Sequence, residues 1–344
     1  MADDLKTLFK TARPVMNAPW EAMADAGFAA AVSNAGGLGL YPCGLKTPET
    51  ILSDAARIAS LTDRPFGLAL TVRKDVNGIG AEGEAFIEAL SPLRKSLGLP
   101  EPDPAFVSFD EQFEVALKTR ASVIVFVNGG PREVYAERLE ARGLAFGGFA
   151  ASPRDAKALL ASGASFLVAQ GLESGGPLYA FETPYPKAPT ALAPLLETLV
   201  RIARGVPVLA CGSIVSKKSV EALKALGAAG FVLGSALSAS HESALTDKAK
   251  ASLAYTDETS STVTCAPFGL PARLLENGLI QALGEAGVTI PAYPEGELLV
   301  SDIIDCARRA GRLDLDAIPL EPQAYLAKRE PVETILDELF GEPA

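Results

Sequence analysis

Eight short apolar segments recur along this chain of 344 residues, and they constrain its fold more than any other feature. Each segment is apolar without interruption, whereas a strand with one face in solvent alternates apolar and polar residues. Continuous runs of this length are typical of parallel strands that are buried on both faces. We therefore predict parallel strands at 14–19, 28–33, 65–72, 122–127, 144–150, 165–170, 207–212 and 230–235.

The stretches between these strands have helical spacing, and part of the pattern repeats. The segments ALLASGASFLV (158–168) and ALKALGAAGFV (222–232) share a helix end, a glycine turn and a strand, and RLEARGLAF (138–146) is a looser copy. A glycine after each helix suits the left-handed position that ends many helices. Repetition of this unit indicates alternating β and α elements. Helices are predicted at 48–61, 111–119, 131–141, 153–162, 192–203 and 218–226.

Eight strands with right-handed helical crossovers favour a closed barrel over an open sheet. The predicted fold class is α/β, a (βα)8 TIM barrel over residues 1–240, because no G-x-G-x-x-G fingerprint of an open dinucleotide-binding sheet follows the first strand. A long insertion at 73–106 and a Gly- then Pro-rich loop at 171–191 depart from the repeat, and such connections are usually lids or binding loops. Residues 241–344 are interpreted as a mostly helical extension packed on the barrel.

Charge and composition exclude several classes of function. Asp and Glu outnumber Lys and Arg by 42 to 31, whereas surfaces that bind nucleic acid or anionic membranes are basic. The four cysteines are far apart and His241 is the only histidine, so we expect no metal site, disulfide framework or Ser/His/Asp triad. The chain shows no apolar signal region and no stretch long enough to span a membrane, so a cytoplasmic protein is expected.

The ends of the seventh and eighth predicted strands carry small residues at the place where barrel enzymes commonly bind phosphate. Glycine lets the backbone approach a ligand closely, so backbone N–H groups here are expected to hold a phosphate. The alternative is that these glycines only form tight turns. The two strand ends comprise Cys211, Gly212, Ser213, Leu233, Gly234 and Ser235.

A third cluster follows the sixth predicted strand. Gln170 ends that strand, and Gly175 and Gly176 follow it in the loop. A polar amide at the end of an apolar strand suits a hydrogen bond to the edge of a planar ring. A hydrogen bond to neighbouring backbone is the alternative interpretation of Gln170.

A fourth cluster lies at the end of the first strand and after the second. Ala18, Pro19 and Trp20 end the first strand, and the small residues of 33–39 follow the second, which leaves room for a flat ring against the backbone. Trp20, the only tryptophan, is expected to stack on a ligand or to pack in the core.

Together these clusters resemble the nitronate monooxygenase family, formerly called 2-nitropropane dioxygenases, over roughly residues 13–280. AAAVSNAGGLG and the glycine-rich run after Gln170 are fairly specific when both occur in this order. Members of this family are FMN-dependent TIM barrels related to FMN-containing enoyl-acyl-carrier-protein reductases. The matching segments are NAPW (17–20), AAAVSNAGGLG (29–39), VAQGLESGG (168–176), PVLACGSI (207–214), LGAAGFVLGSAL (226–237) and GLPARLLEN (269–277).

The resemblance implies FMN at the carboxyl ends of the strands. Its phosphate would lie on Gly212–Ser213 and Gly234–Ser235, beside Cys211 and Leu233. Its isoalloxazine would lie near Ala18, Pro19 and Trp20, with Gln170, Gly175 and Gly176 along one side.

Two positions depart from the family pattern. The family has a catalytic histidine directly after the two glycines, where this chain has Pro177, and proline has no proton to exchange. The family usually has Asn at the end of the third strand, where this chain has Ala69. Glu173 matches a family position and is the first candidate for the catalytic proton donor, ahead of Tyr179 and Tyr185. Ordinary loop surface is the alternative for each of the three.

The resemblance implies an FMN-dependent oxidoreductase that oxidises a small nitronate-like or related organic substrate with O2. Oxidation of an anionic nitronate would not need the missing histidine, whereas a neutral nitroalkane requires a base to remove its proton. Two alternatives stay open: a flavin enoyl or quinone reductase that uses NADH or NADPH, and a non-redox barrel that binds a phosphorylated ligand. The sequence leaves a homodimer open.

Overall fold

The computed structural model describes residues 2–342, and within them eight parallel strands form a nearly closed barrel. Neighbouring barrel strands pair in the order β1–β9–β8–β6–β5–β4–β3–β2, which confirms the predicted α/β TIM barrel. The barrel strands are β1 (Val15–Asn17), β2 (Gly39–Pro42), β3 (Phe66–Thr71), β4 (Val123–Val127), β5 (Ala145–Ala150), β6 (Phe166–Gln170), β8 (Val208–Cys211) and β9 (Gly230–Leu233). The short strand β7 (Gly176–Pro177) lies outside the barrel.

The ring is closed between β1 and β2 by a side chain. The backbones of these strands share one isolated bridge, between Met16 and Leu38. The fully buried Asn17 amide then takes the place of a ladder, because Leu40 N–H donates to its Oδ1 (2.7 Å) and its Nδ2 donates to Leu40 O (2.8 Å). All eight strands point the same way, so their carboxyl ends form one rim of the barrel.

Helices surround the barrel, and those predicted from the sequence begin and end within three residues of the observed bounds. Side-chain caps explain several starts, since Thr47 Oγ1 accepts from Thr50 N–H and Ser152 Oγ accepts from Asp155 N–H. The helices of this layer are α1 (Ala2–Phe9), α2 (Ala26–Asn34), α3 (Pro48–Leu61), α5 (Phe109–Ala116), α6 (Glu133–Glu140), α7 (Pro153–Ala161), α8 (Leu192–Ala203) and α9 (Lys217–Ala225).

The second strand lies at a different place from the one predicted. Residues 28–33 form part of helix α2, and strand β2 follows at Gly39–Pro42. Asp25 caps the helix, with its Oδ1 accepting from Phe28 N–H at 2.8 Å, and alanine favours a helix. The prediction was wrong because a buried helix that is apolar on nearly every side has the same continuous pattern as a buried strand.

This shift also moves the small residues of 33–39 away from the expected site. They connect a helix to the start of a strand, so they lie at the amino rim of the barrel, opposite the carboxyl ends. A Cβ at Gly39 would lie 1.8 Å from Ala29 O, so glycine there allows α2 to pack directly on β2. The expectation that these residues leave room for a ring was therefore wrong.

The insertion and the extension pack together over the carboxyl rim. Within 73–106 lies helix α4 (Ala81–Leu97), whose Arg94 forms an ion pair with Asp302 of α13 (Glu295–Arg309). The extension also contains two strands that the helical prediction missed, and with β7 they form a small antiparallel sheet. Helix α10 (Ser235–Ser238) follows β9 directly, and the extension's other elements are α11 (Asp247–Leu253), β10 (Ser261–Thr264), β11 (Ala272–Leu275), α12 (Gly278–Glu285) and α14 (Val332–Phe340).

The last helix joins the outer layer of the barrel. Val332, Ile335 and Leu336 of α14 are buried in the same apolar core as the barrel strands, and Arg13 next to β1 pairs with Asp337. In the part of the chain that the structure describes, none of the helices combines the length and the apolar character that crossing a bilayer requires. Residue 1 and residues 343–344, the outer ends of the two predicted regions, lie outside the described residues.

Candidate active site

The exits of β8 and β9 converge on one carboxylate from the extension. Ser213 N–H donates to Oε1 of Glu321 (3.0 Å), and Ser235 N–H donates to Oε2 (2.9 Å). The backbone N–H of Gly175 is a further donor to this carboxylate. We call the N–H groups of Gly175, Ser213 and Ser235 the amide cradle. It consists of groups that the sequence analysis assigned to a cofactor phosphate or placed beside the flavin.

The local backbone explains why these N–H groups turn inward. Gly212 has φ +139° and Ser213 has φ +50°, so the chain leaves β8 through conformations that glycine adopts readily. Ser174 Oγ donates to Cys211 O at 2.9 Å and fixes the same exit to the loop that follows β6. Burial raises the pKa of Cys211 to about 12, so its thiol is a packing group rather than a nucleophile.

Glu321 is held firmly in the amide cradle. Its side chain is buried, and its own N–H donates to Ser235 Oγ at 3.1 Å. Burial raises the pKa of Glu321, whereas the hydrogen bonds from Ser213 and Ser235 lower it. Two acidic oxygens bonded to backbone N–H groups show that the donor set suits an oxygen-rich acidic group.

The indole of Trp20 fills the space between the β9 exit at Gly234 and the loop that follows β6. A Cβ added at Gly234 would lie 2.2 Å from its Cη2, and one added at Gly175 would lie 2.8 Å from the same atom. A Cβ at Gly176 would lie 2.8 Å from its Nε1. The side chain is only 6% exposed. Gly175 and Gly176, which were expected along one side of a flat ligand, therefore face the chain's own indole, and so does Gly234, which was expected at the phosphate.

The residues as folded do not accommodate FMN. The chemistry of the amide cradle suits a phosphate, but Glu321 already occupies its N–H groups. Trp20 covers the glycine faces on which the isoalloxazine was expected to lie. Both side chains would have to move before a flavin mononucleotide could take the place that the resemblance implies.

Gln170 satisfies both ends of its amide within the loop that follows it. Its Nε2 donates to Pro177 O (2.9 Å), and Tyr179 N–H donates to its Oε1 (2.8 Å). In the structure Gln170 therefore bonds to neighbouring backbone, which was the alternative interpretation of this residue. Pro177 belongs to β7 and pairs with Ala272 of β11, which attaches the loop to the extension.

Glu173 lies at the start of helix α8. Leu192 N–H lies 3.2 Å and 3.0 Å from its two carboxylate oxygens, so Glu173 supplies the cap that the helix lacks from its own N-cap residue, Ala191. Tyr185 is 40% exposed, whereas Tyr179 is buried. Of the three proton-donor candidates, Tyr179 lies on the wall of the cavity described next.

A cavity of about 160 Å³ opens beside Trp20 at the carboxyl ends of β1 to β4. An apolar cavity of about 150 Å³ is large enough for a benzene-sized molecule, so this one has room for a small organic substrate. Its walls come from the barrel, from the loop after β6 and from the extension. They include Ala69, Thr71, Pro177, Tyr179, Tyr293 and Glu297.

Glu297, from the first turn of α13, is a carboxyl group in this wall whose pKa is raised well above its ordinary value. Burial, reinforced by the nearby Glu21 carboxylate, raises its pKa to about 8, although Lys46 and Arg73 act in the opposite direction. Lys46 Nζ lies 3.1 Å from a carboxylate oxygen of Glu21, so that cation is already paired. Glu297 is therefore mainly protonated at neutral pH and can donate a hydrogen bond.

Three residues of this region, Glu297, Tyr293 and Glu321, were not predicted from the sequence. All three come from the extension, far along the chain from the strand exits that they reach. The segment AIPLEP (317–322) carried one usable signal, because a lone acidic residue between apolar residues and prolines suggests a buried carboxylate. Nothing comparable marks Glu297, because acidic residues are common in the first turn of a helix such as EGELLV (295–300).

Comparison with known proteins gives one consistent result. The family model for nitronate monooxygenase matches residues 3–342. The chain is 28% identical over 338 residues to a probable nitronate monooxygenase of Staphylococcus haemolyticus, covering 96% of this chain and 93% of the relative. It is also similar to a solved nitroalkane oxidase from Streptomyces ansochromogenes, with a TM-score of 0.87, 28% identity and coverage of 99% and 97% of the two chains. FabK from Thermotoga maritima has the same fold, with a TM-score of 0.78, 23% identity and coverage of 98% and 95%.

Proposed function

Since the chain belongs to the nitronate monooxygenase family, we propose that it oxidises a small nitronate-like organic substrate with O2 in the cavity beside Trp20. The observation that supports this proposal most is the extent of the likeness, because the family model covers residues 3–342 and therefore includes every wall of that cavity. The enzyme is an oxidoreductase with a small-molecule substrate.

The family resemblance implies FMN as the redox group of such an enzyme. We propose the amide cradle and the glycines at 175, 176 and 234 as its binding site, occupied only in a conformation in which Glu321 and Trp20 have moved away. The donor set supports this assignment, since its N–H groups already bond to the two oxygens of a carboxyl group. In the conformation of the structure, Glu321 and Trp20 occupy this site and FMN is not accommodated.

Glu297 is the residue we assign to substrate binding. Its protonated carboxyl group donates a hydrogen bond to a nitronate oxygen, whereas an ionised carboxylate would repel the anion. The raised pKa of about 8 keeps that proton in place at neutral pH. Tyr179 and Tyr293, whose pKa values burial also raises, stay neutral and line the same wall.

Pro177 occupies the position at which the family resemblance places a catalytic histidine. It lines the same cavity as Glu297 but has no proton to accept or donate. We therefore propose that the substrate arrives as the anion, so that no carbon-bound proton has to be removed. Glu173, which caps α8, is assigned to the fold and not to the reaction.

The test is O2 consumption by the purified chain with an alkyl nitronate and excess FMN, compared with the corresponding neutral nitroalkane. We expect FMN-dependent O2 uptake with the nitronate and at least tenfold less with the nitroalkane. Pro177→His should raise O2 uptake with the nitroalkane relative to that with the nitronate, because histidine supplies a base that can remove the carbon-bound proton. Absence of O2 uptake with either substrate, in a sample shown to have bound FMN, would contradict the proposal.

A further inference from the structure

The site that the family uses for a cofactor is filled in this chain by two of its own side chains. Glu321 accepts hydrogen bonds from Ser213 and Ser235, as a phosphate would, and the aromatic side chain of Trp20 packs against glycines, as the ring of a ligand would. Each feature alone could be ordinary packing. Together they reproduce the two parts of a nucleotide-like ligand, an anion and a planar aromatic group, at neighbouring positions.

The carboxylate is brought there by a segment that is built into the extension. Leu275 N–H donates to Ile318 O at 2.9 Å, and Leu320 N–H donates to Arg273 O at 3.4 Å. Leu274 and Pro319 form an isolated bridge. The 318–321 segment therefore runs along β11 as an additional edge.

The same sheet holds the loop that carries the cradle glycines. Strand β11 pairs along the same edge with β7, which contains Gly176 and Pro177, whereas β10 occupies its opposite edge. The 318–321 segment, β11 and β7 thus form a continuous connection from Glu321 to the loop that packs against Trp20. Release of Glu321 is therefore coupled to the position of Gly176.

Burial makes the two contacts mutually dependent. Gly175, Ser235 and Glu321 are buried, and buried N–H groups without an acceptor are costly, so release of the Glu321 side chain is favoured when another acceptor replaces it. A Cβ at Gly175 would lie 3.2 Å from Glu321 Cγ and 2.8 Å from Trp20 Cη2, so the two side chains flank the same glycine. A phosphate alone could replace Glu321, whereas a flavin must also displace Trp20.

We propose that Glu321 and Trp20 are an internal occupant of the cofactor site, which FMN or another phosphate-bearing ligand must displace in order to bind. The inference depends on the proposed function only for the identity of FMN as that ligand. Its consequence is that cofactor binding is weakened by the chain itself, and that loading requires release of the 318–321 segment.

The experiment measures binding of FMN and of inorganic phosphate to the full-length chain and to four variants. Glu321→Ala empties the amide cradle, Glu321→Gln removes the charge but keeps the bulk, and Trp20→Ala removes the indole. Glu330→Ala, at an exposed glutamate of the same extension, is the matched control. FMN binding is followed by flavin fluorescence and phosphate binding by the rise in melting temperature with ligand concentration.

We expect Glu321→Ala to bind both FMN and phosphate at least tenfold more tightly than the wild type, with Glu321→Gln intermediate. Trp20→Ala should bind FMN at least tenfold more tightly but leave phosphate affinity within twofold of the wild type, because the indole covers glycine faces and not the N–H groups. Glu330→Ala should match the wild type for both ligands. If Glu321→Ala is unstable, phosphate should restore its melting temperature more than it raises that of the wild type.

The outcomes separate this inference from the proposed function. If the wild type binds FMN, and Glu321→Ala and Trp20→Ala bind it with the same affinity, the proposal of an internal occupant is wrong while the proposed function stands. If Glu321→Ala gains phosphate affinity but no variant binds FMN, the occupant is supported and the FMN-dependent function is wrong. If Glu321→Ala gains affinity for neither ligand, the occupant is wrong.

Discussion

At the scale of single residues, the contact between Trp20 and Gly234 shows how closely the filled site is packed. Gly234 has φ −102°, so its backbone does not demand glycine. The indole does, because an added Cβ would lie 2.2 Å from Cη2 of Trp20. Specific packing, rather than backbone conformation, therefore explains this glycine.

Gly234→Ala is expected to lower the free energy of unfolding by about 1–3 kcal/mol through overpacking. In a Trp20→Ala background the same change should cost close to nothing, since the clash is gone. Gly284→Ala is the control, because it lies in α12 with no atom within 4 Å of the added Cβ and should be neutral or slightly stabilising. Denaturant unfolding measures the free energy of unfolding of Gly234→Ala, Trp20→Ala, the double variant and Gly284→Ala. An equal cost of Gly234→Ala in the wild-type and Trp20→Ala backgrounds would contradict the packing described.

The free energy of unfolding of the wild type should depend on pH through Glu297, and Glu297→Gln should lack this dependence. Its pKa rises on folding from the ordinary 4.5 to about 8, so the folded state keeps a proton that the unfolded chain releases. Stability from this group is therefore complete below pH 4.5, is lost as pH rises from about 4.5 through 8, and changes little above that. At pH 9 we expect Glu297→Gln to be more stable than the wild type by about 1 kcal/mol, with the advantage shrinking at acidic pH in parallel denaturant titrations.

The same substitution tests the role of Glu297 in binding. A glutamine still donates a hydrogen bond but cannot ionise. The wild-type kcat/KM for a nitronate is expected to fall above pH 8, whereas Glu297→Gln should retain at least a third of the neutral-pH value and lose that alkaline decline. A variant that is inactive at every pH would instead point to proton transfer by Glu297.

At the scale of elements, helix α8 depends on a cap from outside its own sequence. Glu173→Ala should lower the free energy of unfolding by about 1 kcal/mol because Leu192 N–H loses its acceptor. Activity per folded molecule should stay within twofold of the wild type. A tenfold loss of kcat with unchanged stability would restore Glu173 as a catalytic candidate.

Elements with local signals were predictable, and those decided by distant packing were not. Helices α3 and α7 begin at Thr47 and Ser152 followed by proline, so their starts can be read from neighbouring residues. Helix α2 was mistaken for a strand because burial on nearly all sides removes the helical period. Strand β11 was missed because it depends on partners in β10 and β7.

The candidate site follows the same division. The strand exits at Gly212–Ser213 and Gly234–Ser235 were correctly located because small residues at barrel exits have a local pattern. Glu321 could not be assigned to them, since it lies 108 residues from Ser213 and 86 from Ser235 along the chain. Only the packing of the extension on the barrel brings these groups together.

At the scale of the whole molecule, the barrel and the extension share one core. Residues 1–240 alone would expose the surfaces that Val332, Ile335 and Leu336 cover. We expect this fragment to lack a cooperative thermal transition and to be digested by protease much faster than the full chain. A fragment that melts cooperatively would show that residues 1–240 form an independent domain.

The closure of the ring by Asn17 determines where the barrel is expected to open locally. The other neighbouring barrel strands in the described chain are joined by backbone ladders, but β1 and β2 rely largely on one amide side chain. Amide hydrogen exchange should therefore start along this seam. Trp20 lies three residues beyond Asn17. Transient separation of β1 from β2 would therefore displace the indole and open a path for a ligand.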